Sequence, residues 1–340
     1  MRVAIDKNSI EAVKNKDNEY VYIFKDETYQ ELLELGLHCI NCEYCLDEYV
    51  DINLTDYEID SIKKAKITDK DWDKLIEQDF KIGIIIPNYN YEHTIEKCLN
   101  SILNQTYKNY QIIFVDDCST DNSVAIATQI LGGQHKVIQL KQKRYNGGAR
   151  NEAYLYLDDD VDYIWYVDSD DWLYDENVLE EINKRLQKKP DVLFVGMASY
   201  KGGETKTCFT PRYKDKYEAI LGWSGSCGKV IKKSLATKQE CLYNEGTLKE
   251  DKNQHCKICI YMNSFGLLKK PVYVWNRCNE KSVTTIRENI LWGTSTIRHY
   301  ADTKQLYLSV KGKDSKIDDI MEERLNKCLK EIKGGGDRQW

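Results

Sequence analysis

Two pairs of aspartates have the spacing of metal or nucleotide ligands. Asp116 and Asp117 follow one short apolar segment, and Asp168 and Asp170 follow another. Two carboxylates at positions i and i+2 offer hard oxygen ligands of the kind that Mg²⁺ and Mn²⁺ prefer. Such ions usually complete their coordination with phosphate oxygens, and a cation on a diphosphate neutralises the charge of a departing nucleotide. The spacing therefore predicts a site for a metal-bound nucleotide diphosphate.

Helix capping is the alternative interpretation of these acids, since Asp and Ser commonly begin helices. Capping explains Ser119 and Asp121, but it needs one residue per helix, whereas two aspartates follow each apolar segment. The usual phosphate-binding loops are missing, because the chain has no G-x-x-x-x-G-K-[ST] and no G-x-G-x-x-G after a strand. Their absence argues against a P-loop NTPase and against a nicotinamide-dependent enzyme.

The elements that must position the acids are short strands that alternate with amphipathic helices from residue 81 onward. This pattern is typical of a parallel sheet covered by helices on both faces. The predicted strands are Ile82–Ile86, Ile112–Val115, Val137–Leu140, Tyr163–Val167 and Asp191–Gly196. The predicted helices lie at about 95–103, 122–131 and 176–187, and a turn at Tyr145–Asn151 leads into another that ends near Leu157. In open α/β sheets ligands bind beyond the carboxyl ends of the strands, so we expect the acids to share that edge.

The composition is that of an ordinary globular protein. The chain has 340 residues, of which 41% are hydrophobic and 31% are charged, which excludes the disordered and fibrous classes. At roughly 100–200 residues per domain, the length predicts two domains, or one with extensions. The longest apolar run, Val192–Ala198, is far shorter than the ~20 residues that cross a bilayer, and the N-terminus lacks an apolar signal region. We therefore expect a cytoplasmic protein with reduced thiols.

The net charge of −6 is distributed unevenly along the chain. Residues 1–80 contain 10 basic and 20 acidic side chains, and the remaining 260 residues contain 39 basic and 35 acidic ones. An acidic N-terminal part is a poor surface for a phosphate backbone, and the rest of the chain lacks the basic stripe typical of nucleic-acid binding. The charge distribution therefore argues against a nucleic-acid partner.

Three of the twelve cysteines, Cys39, Cys42 and Cys45, have ligand-like spacing. With His38 they could supply the ligands of a structural Zn²⁺ ion or an iron–sulfur cluster. The usual second Cys-x-x-Cys pair is missing nearby, so separate thiols are the favoured interpretation. A second group, His255-Cys256-Lys-Ile-Cys259, falls in a predicted helix, where core packing is favoured over metal binding.

Four motifs, in order and each at the carboxyl end of a predicted strand, resemble those of the family 2 glycosyltransferases with the GT-A fold. They are Ile86-Pro-Asn-Tyr-Asn90, Val115-Asp-Asp-Cys-Ser-Thr-Asp121, Asn146-Gly-Gly-Ala-Arg-Asn151 and Val167-Asp-Ser-Asp-Asp171. The resemblance implies an α/β fold of the GT-A type at 81–285, Rossmann-like, with a mostly parallel sheet and helices on both faces. Residues 1–80 and 286–340 lie outside the resemblance, and the sequence predicts an acidic accessory module with the cysteine cluster at 1–80 and a helical extension at 286–340.

The resemblance also implies roles for particular residues. Those that would contact the nucleotide sugar are Pro87, Tyr89, Asp116, Asp117, Arg150, Asp168, Arg277 and Ser282. The first four would meet the base and the nucleoside. Arg150 would approach the sugar or the phosphates, and Arg277 and Ser282 would touch the diphosphate when a loop closes. Asp170, with Asp168, would bind Mn²⁺ or Mg²⁺.

A general base is implied at Asp251, the aspartate of a Glu-Asp pair that begins a predicted helix. It would take the proton of the acceptor hydroxyl on the sugar face opposite the leaving group, as inverting transfer requires. A carboxylate that stabilises the helix N-terminus is the alternative interpretation. His255, four residues later, would share this helix face and orient the base or bind the acceptor, unless it is a hydrogen-bonded surface histidine.

The implied function is a metal-dependent, inverting transfer of a hexose or N-acetylhexosamine from a UDP-sugar to an acceptor hydroxyl of a glycan, cell-surface polymer or glycoconjugate. A sugar-nucleotide-binding protein without turnover and a nucleotidyltransferase of similar fold are the alternatives. The intact Asp168, Asp170 and Asp251 argue against the first, and the lack of a glycine- and basic-rich loop after the first strand argues against the second. The apolar stripe near the C-terminus predicts core packing or a homodimer contact, with at most peripheral membrane attachment.

Overall fold

The computed structural model divides the chain into two compact units, residues 1–78 and 79–340. The residues that it describes are 2–6, 9–14, 20–24, 79–246, 250–278 and 290–332. The Cys39–Cys45 cluster and Ser282 lie outside the described residues, so the roles expected of them stay predictions.

The first unit contains three described strands that pair with one another. They are β1 (Arg2–Asp6), β2 (Ser9–Lys14) and β3 (Tyr20–Phe24). Strand β2 is antiparallel to both β1 and β3, whereas β1 and β3 run parallel.

The second unit alternates strands and helices. Its strands are β4 (Ile82–Asn88), β5 (Tyr110–Asp116), β6 (Lys136–Gln139), β7 (Tyr163–Tyr166), β8 (Trp172–Leu173), β9 (Val192–Lys201), β10 (Glu204–Phe209), β11 (Lys229–Lys232) and β12 (Phe265–Asn276). Its helices are α1 (Ile95–Leu103), α2 (Ser123–Leu131), α3 (Tyr145–Ala153), α4 (Val178–Leu186), α5 (Lys216–Leu221), α6 (Lys233–Ala236), α7 (Glu250–Tyr261), α8 (Ile290–Val310) and α9 (Ser315–Ile332). Short 3₁₀ turns lie at Tyr154–Tyr156, Ser226–Gly228 and Gln239–Cys241.

The nine strands described in the second unit form one mixed sheet. Their order is β6-β5-β4-β7-β11-β9-β12-β8, and β10 pairs with β9. Strand β4 runs parallel to its neighbours β5 and β7, and β5 runs parallel to β6. Beyond β7 the pairs are antiparallel except for β9 with β12. The predicted α/β class is confirmed, and the parallel part of the sheet is the part whose carboxyl ends carry the predicted acids.

Alternate residues of β4 pack into cores on opposite faces of the sheet. Ile84 and Ile86 join one core, Ile85 joins the other, and all three are fully buried. The first core contains buried side chains of α1, α2 and α4, and the second contains those of α3, α7, α8 and α9. Since successive side chains of a strand point to opposite faces, a continuous apolar strand requires helices on both.

The apolar stripe predicted near the C-terminus packs against the second core. Ile317, Ile320 and Met321 of α9 are buried there together with Leu306 and Tyr307 of α8. A homodimer contact by this segment stays a prediction. Among the helices in the described part of the chain, none combines the length and apolar composition needed to span a membrane.

The segment that begins at Tyr145 is helical where the sequence predicts a turn. The carboxylate of Asp117 accepts hydrogen bonds from the backbone N–H groups of Arg144 at 2.6 Å and Tyr145 at 2.7 Å, which supplies partners to a helix N-terminus. A Cβ on Gly147 would lie 2.7 Å from the carbonyl oxygen of Asn244. The glycine therefore allows a neighbouring loop to approach the helix closely, and it does not end the helix.

Gly196 of β9 lies opposite Pro271, at an irregularity in the pairing of β9 with β12, and its replacement tests this packing. A Cβ there would be 2.6 Å from the carbonyl oxygens of Lys269 and Lys270, which are backbone atoms with little room to move. We expect Gly196→Ala to lower the free energy of unfolding in urea by about 2 kcal/mol. The control is Gly266→Ala, whose new methyl group would meet the flexible end of Leu193 at 3.1 Å. Equal stability of the two variants would contradict the prediction.

Candidate functional site

The carboxyl ends of β4, β5 and β7 meet at one edge of the sheet. Asn88 at the end of β4 is in register with Asp116 at the end of β5. The backbone N–H of Asp117 donates to the carbonyl oxygen of Asn88 at 2.8 Å, and the hydroxyl of Ser169 donates to that of Pro87 at 2.6 Å. Three of the four motifs are therefore in contact at this edge. The fourth motif lies in α3, and the backbone at the N-terminus of this helix donates hydrogen bonds to the carboxylate of Asp117.

Asp116 is fully buried and holds the loop that carries Tyr89. Its carboxylate accepts hydrogen bonds from the backbone N–H of Ser119 at 2.8 Å and from the Ser119 hydroxyl at 2.5 Å. The same hydroxyl oxygen accepts from the backbone N–H of Asn90 at 2.8 Å. Tyr89 is 37% exposed, so its ring is open to a stacking partner.

Asp117 is buried at the start of α3. Burial raises the pKa of its carboxyl group, and the hydrogen bonds from the backbone of Arg144 and Tyr145 oppose that rise. Both Asp116 and Asp117 therefore organise the backbone around the edge. Their contacts with a nucleoside stay predictions.

Asp171 anchors the acidic loop that follows β7. Its carboxylate accepts from the Tyr273 hydroxyl at 2.5 Å and from the backbone N–H of Asn276 at 2.7 Å. Burial, followed by the charges of Asp170 and Asp168, raises the pKa of Asp171 well above its usual range. Negative charge is therefore crowded in this loop, and a bound cation would relieve the repulsion.

Asp168 and Asp170 supply two carboxylates of the type that a divalent cation prefers, and their role as its ligands stays a prediction. The Asp168 side chain is 33% exposed, and Asp170 is buried at the same edge of the sheet. Within the described ranges, no group of three or more His, Cys, Asp or Glu side chains could hold a metal ion. Mg²⁺ is commonly bound through one or two carboxylates together with substrate phosphates and water, so two protein ligands suit it.

Arg150 lies within α3 and joins the two acidic segments of the site. Its guanidinium is 3% exposed and donates to Asp168 Oδ1 at 2.8 Å and to Glu250 Oε1 at 3.0 Å. The rings of Tyr166 and Tyr243 flank it, with centroids 5.8 Å and 5.2 Å from the guanidinium carbon. A contact of Arg150 with the donor's sugar or phosphates, as the resemblance implies, stays a prediction. The structure adds a positioning role, because Arg150 fixes Asp168 relative to Glu250.

Helix α3 also holds the loop that leads to α7. The Asn151 amide donates to the carbonyl oxygen of Tyr243 at 2.9 Å and accepts from the backbone N–H of Tyr243 at 3.0 Å. Arg144 donates to Glu245 at 2.6 Å and 3.0 Å, and Gly147 leaves room for the loop. The Asn-Gly-Gly-Ala-Arg-Asn motif is therefore a platform for the segment that carries the predicted base.

Glu250 and Asp251 form the first turn of α7. Burial raises the pKa of Glu250 to about 7, an effect that Arg150 opposes and Asp251 strengthens. Burial also raises the pKa of Asp251, against the charges of Lys252 and Arg150. A raised carboxyl pKa suits a general base, because the ideal base has a pKa near the working pH.

His255 is fully buried in α7, which corrects the expectation of a histidine at the surface or at the acceptor. Its Nε2 lies 2.7 Å from the carbonyl oxygen of Ala219 and 3.8 Å from the Sγ of Cys259. Burial lowers the pKa of His255 well below its usual range, so the ring is neutral. Cys256 and Cys259 are buried as well, and the group packs in the core.

Arg277 is exposed at the end of β12, and its backbone N–H donates to the carbonyl oxygen of Tyr200 at 2.9 Å. Its contact with a diphosphate stays a prediction. Two partners of the site, Glu250 and Asp171, are not predicted from the sequence, although each adjoins a predicted residue. The full burial of Lys229 is not predicted either, because a lysine in a sequence ordinarily predicts exposure.

Comparison with known proteins gives the site a family context. Residues 83–261 match the family model described as Glycosyl transferase family 2. The chain is 34% identical over 143 residues to glycosyltransferase GlyA of Streptococcus pneumoniae. The aligned residues cover 42% of this chain and 20% of GlyA. The chain is also 36% identical over 135 residues to the poly(ribitol-phosphate) beta-glucosyltransferase of Bacillus spizizenii. These residues cover 38% of this chain and 21% of that relative. The chain thus matches about a fifth of the length of these two relatives.

The fold is similar to that of a solved glycosyltransferase structure. Residues 1–349 of Staphylococcus aureus TarS, in complex with UDP-GlcNAc, superpose with a TM-score of 0.59 at 20% identity. The match covers 74% of this chain and 73% of the TarS chain. The GT-A fold predicted from the sequence is confirmed.

Removal of the Arg150 charge tests the bridge between the two acidic segments. We expect Arg150→Met to lower the free energy of unfolding by about 3 kcal/mol at pH 8, because Glu250 is left buried without its cation. The measurement is urea denaturation. The control is Arg185→Met on the exposed surface of α4, which should change stability by less than about 0.5 kcal/mol. A loss below about 1 kcal/mol in Arg150→Met would contradict the bridge.

The raised pKa of Glu250 predicts a pH-dependent stability. Between about pH 4.5 and pH 7 the unfolded chain releases this proton while the folded chain keeps it. The free energy of unfolding of the wild type should therefore fall with rising pH relative to Glu250→Gln, by up to about 1.4 kcal/mol per pH unit, and level off above pH 7. Glu240→Gln, at an exposed position, serves as the control. A difference between wild type and Glu250→Gln that is constant with pH would refute this shift.

Proposed function

The chain belongs to glycosyl transferase family 2, and on that premise we propose that it transfers a hexose or N-acetylhexosamine from a UDP-sugar to an acceptor hydroxyl, with inversion at the sugar. The observation that carries this proposal is the Arg150 bridge between the acidic loop of Asp168 and the first turn of α7, where Asp251 lies. The acidic loop suits a diphosphate with its cation, and the first turn of α7 suits removal of a proton from an acceptor.

UDP as the donor nucleotide is supported by the fold similarity to TarS, which was solved with UDP-GlcNAc. Pro87 and Tyr89 would line the base pocket, and the exposed ring of Tyr89 can stack on a base. The ammonium of Lys143 lies 2.9 Å from the centroid of that ring. It must move aside when a base stacks on the same ring face. Asp116 and Asp117 would face the nucleoside from the neighbouring strand.

Asp170 and Asp168 would hold a Mn²⁺ or Mg²⁺ ion beside the diphosphate. When bound, the ion supplies a positive charge that stabilises the departing UDP. Arg150 keeps Asp168 in place, and the hydrogen bonds from Tyr273 and Asn276 to Asp171 keep the loop in place. Arg277, exposed beside Tyr200, would contact the diphosphate.

Asp251 would accept the proton of the acceptor hydroxyl. It is half-buried at the start of α7, and burial raises its pKa toward the working range. The carboxylate of Glu250 is directed to Arg150 instead, so the two neighbouring acids have different partners. This difference favours Asp251 over Glu250 as the base.

The acceptor would be a hydroxyl group of a cell-surface polymer, glycan or glycoconjugate. The relative from Bacillus spizizenii is named for poly(ribitol-phosphate), which makes a phosphate-bearing polymer the first acceptor class to test. A cytoplasmic location, with at most peripheral attachment to a membrane, is proposed from the sequence.

A screen of nucleotide sugars for hydrolysis without acceptor tests the proposal. With Mn²⁺ present, we expect release of UDP from UDP-glucose or UDP-GlcNAc and little release from GDP-mannose. Binding of a UDP-sugar without any turnover, even with acceptor polymer, would favour a non-catalytic binding protein. Release of pyrophosphate from UTP and a sugar phosphate would favour a nucleotidyltransferase.

Two substitutions test the role of Asp251 as base and the role of Asp170 as metal ligand independently. We expect Asp251→Asn to lower the rate of UDP release at least 100-fold, because the base is lost, with the Kd for UDP within threefold of wild type. We expect Asp170→Asn to abolish the Mn²⁺-dependent part of the UDP affinity. The control is Asp160→Asn, an exposed acid paired with Lys81 at the start of β4, on the opposite edge. Wild-type turnover in Asp251→Asn would rule out its role as base.

A further inference from the structure

A cation held over aromatic rings lies beside the acidic loop and has no assigned role. The ammonium of Lys97, on α1, is 3.1 Å from the ring centroid of Trp172 and 5.2 Å from that of Tyr200. The two rings pack edge to face, with centroids 5.3 Å apart and an interplanar angle of 66°. We call Lys97, Trp172 and Tyr200 the Trp172 cluster. The rings fix the ammonium by cation–π attraction at a defined place.

The Trp172 cluster lies at the far end of the sheet from the predicted nucleoside pocket. Trp172 directly follows the acidic loop and pairs with Val274 of β12, and Tyr200 of β9 is in register with Asn276. Strands β8, β12 and β9 are at one end of the sheet order, whereas β5 and β4, which carry Asp116 and Tyr89, are at the other. In the order of the sheet, β7, the strand that leads into the acidic loop, therefore lies between the strands of the two rings and those of the nucleoside pocket.

In the part of the chain that the structure describes, no acid neutralises the charge of Lys97. No carboxylate among the described residues lies within ion-pair distance of its ammonium, and burial lowers the pKa of Lys97. Lys270, on the neighbouring β12, shows the opposite arrangement, since Asp175 lies 3.4 Å from its ammonium. Arg277 adds a second positive charge next to Tyr200. Among the described residues, the cluster thus presents a cation that has no carboxylate partner.

We propose that the Trp172 cluster is a phosphate-binding subsite in which Lys97 pairs with a phosphate group and the aromatic rings hold its ammonium in place. The inference rests on the proposed function. Lysine is a common phosphate ligand that acts as a point charge, and the neighbouring rings offer an apolar face to the attached sugar or polyol. The phosphate belongs either to the acceptor polymer or to the donor's diphosphate, and separate titrations of the polymer and of UDP distinguish the two sources.

Binding of a phosphate polymer tests the acceptor as the source. The probe is poly(ribitol phosphate), titrated against the full chain with saturating UDP and Mn²⁺. We expect about tenfold weaker binding in Lys97→Met and less than a threefold change in Lys97→Arg, which keeps the charge and stacks on aromatic rings. The control is Lys238→Met, which removes an ammonium 4.5 Å from the ring centroid of Tyr261, at the end of α7 remote from the acidic loop. Lys97 and Lys238 are both exposed residues over an aromatic ring, so Lys97→Met should change the thermal unfolding temperature no more than Lys238→Met does.

Titrations of UDP and uridine test the donor as the source. If Lys97→Met weakens UDP about tenfold, leaves uridine unchanged and leaves the polymer unaffected, the subsite binds the donor's diphosphate. If Lys97→Met matches Lys238→Met in both titrations, the subsite does not exist. A wild-type chain that binds the polymer but not UDP would contradict the proposed function. The polymer affinities of wild type, Lys97→Met and Lys238→Met would still decide whether the subsite exists. A wild-type chain that binds neither ligand would overturn both.

Discussion

The buried guanidinium of Arg150 is the interaction on which the geometry of the site depends. It contacts Asp168 and Glu250, which are 82 residues apart in the chain and belong to different elements. A buried arginine between two carboxylates is costly to desolvate and is tolerated only where the hydrogen bonds are well formed. Its value here is positional, because it sets the distance between the acidic loop and the first turn of α7.

The rest of the fold serves this arrangement. Parallel pairing of β4 with β5 and β7 brings the acidic loops to one edge, and helix α3 crosses that edge with its N-terminus on Asp117. Asn151 and Gly147 then seat the loop that leads to Asp251. In a transfer reaction the donor's leaving group and the acceptor's proton must be handled at fixed separation, and a rigid sheet with short connections provides that separation.

The sequence predicts strands β4, β5, β6, β7 and β9, several helices and the acids of the edge, because these depend on local periodicity and on which residues end a strand. It does not predict the partners of Arg150, since a bond between residues 150 and 250 leaves no local pattern. It predicts a turn at Tyr145 because glycine usually marks one, whereas Gly147 accommodates the backbone of a neighbouring loop within a helix. The burial of His255 and the placement of Lys97 over Trp172 likewise arise from packing between distant elements.

A crystal structure with UDP and Mn²⁺ is the most direct test of whether the two acidic segments form one site. We expect the cation about 2.0–2.3 Å from a carboxylate oxygen of Asp170, the uracil against Tyr89, and Arg150 still bound to both Asp168 and Glu250. Asp251 should face the space beyond the diphosphate. A nucleotide bound away from this edge, or an Arg150 released from Glu250 in the complex, would contradict the central role of the bridge.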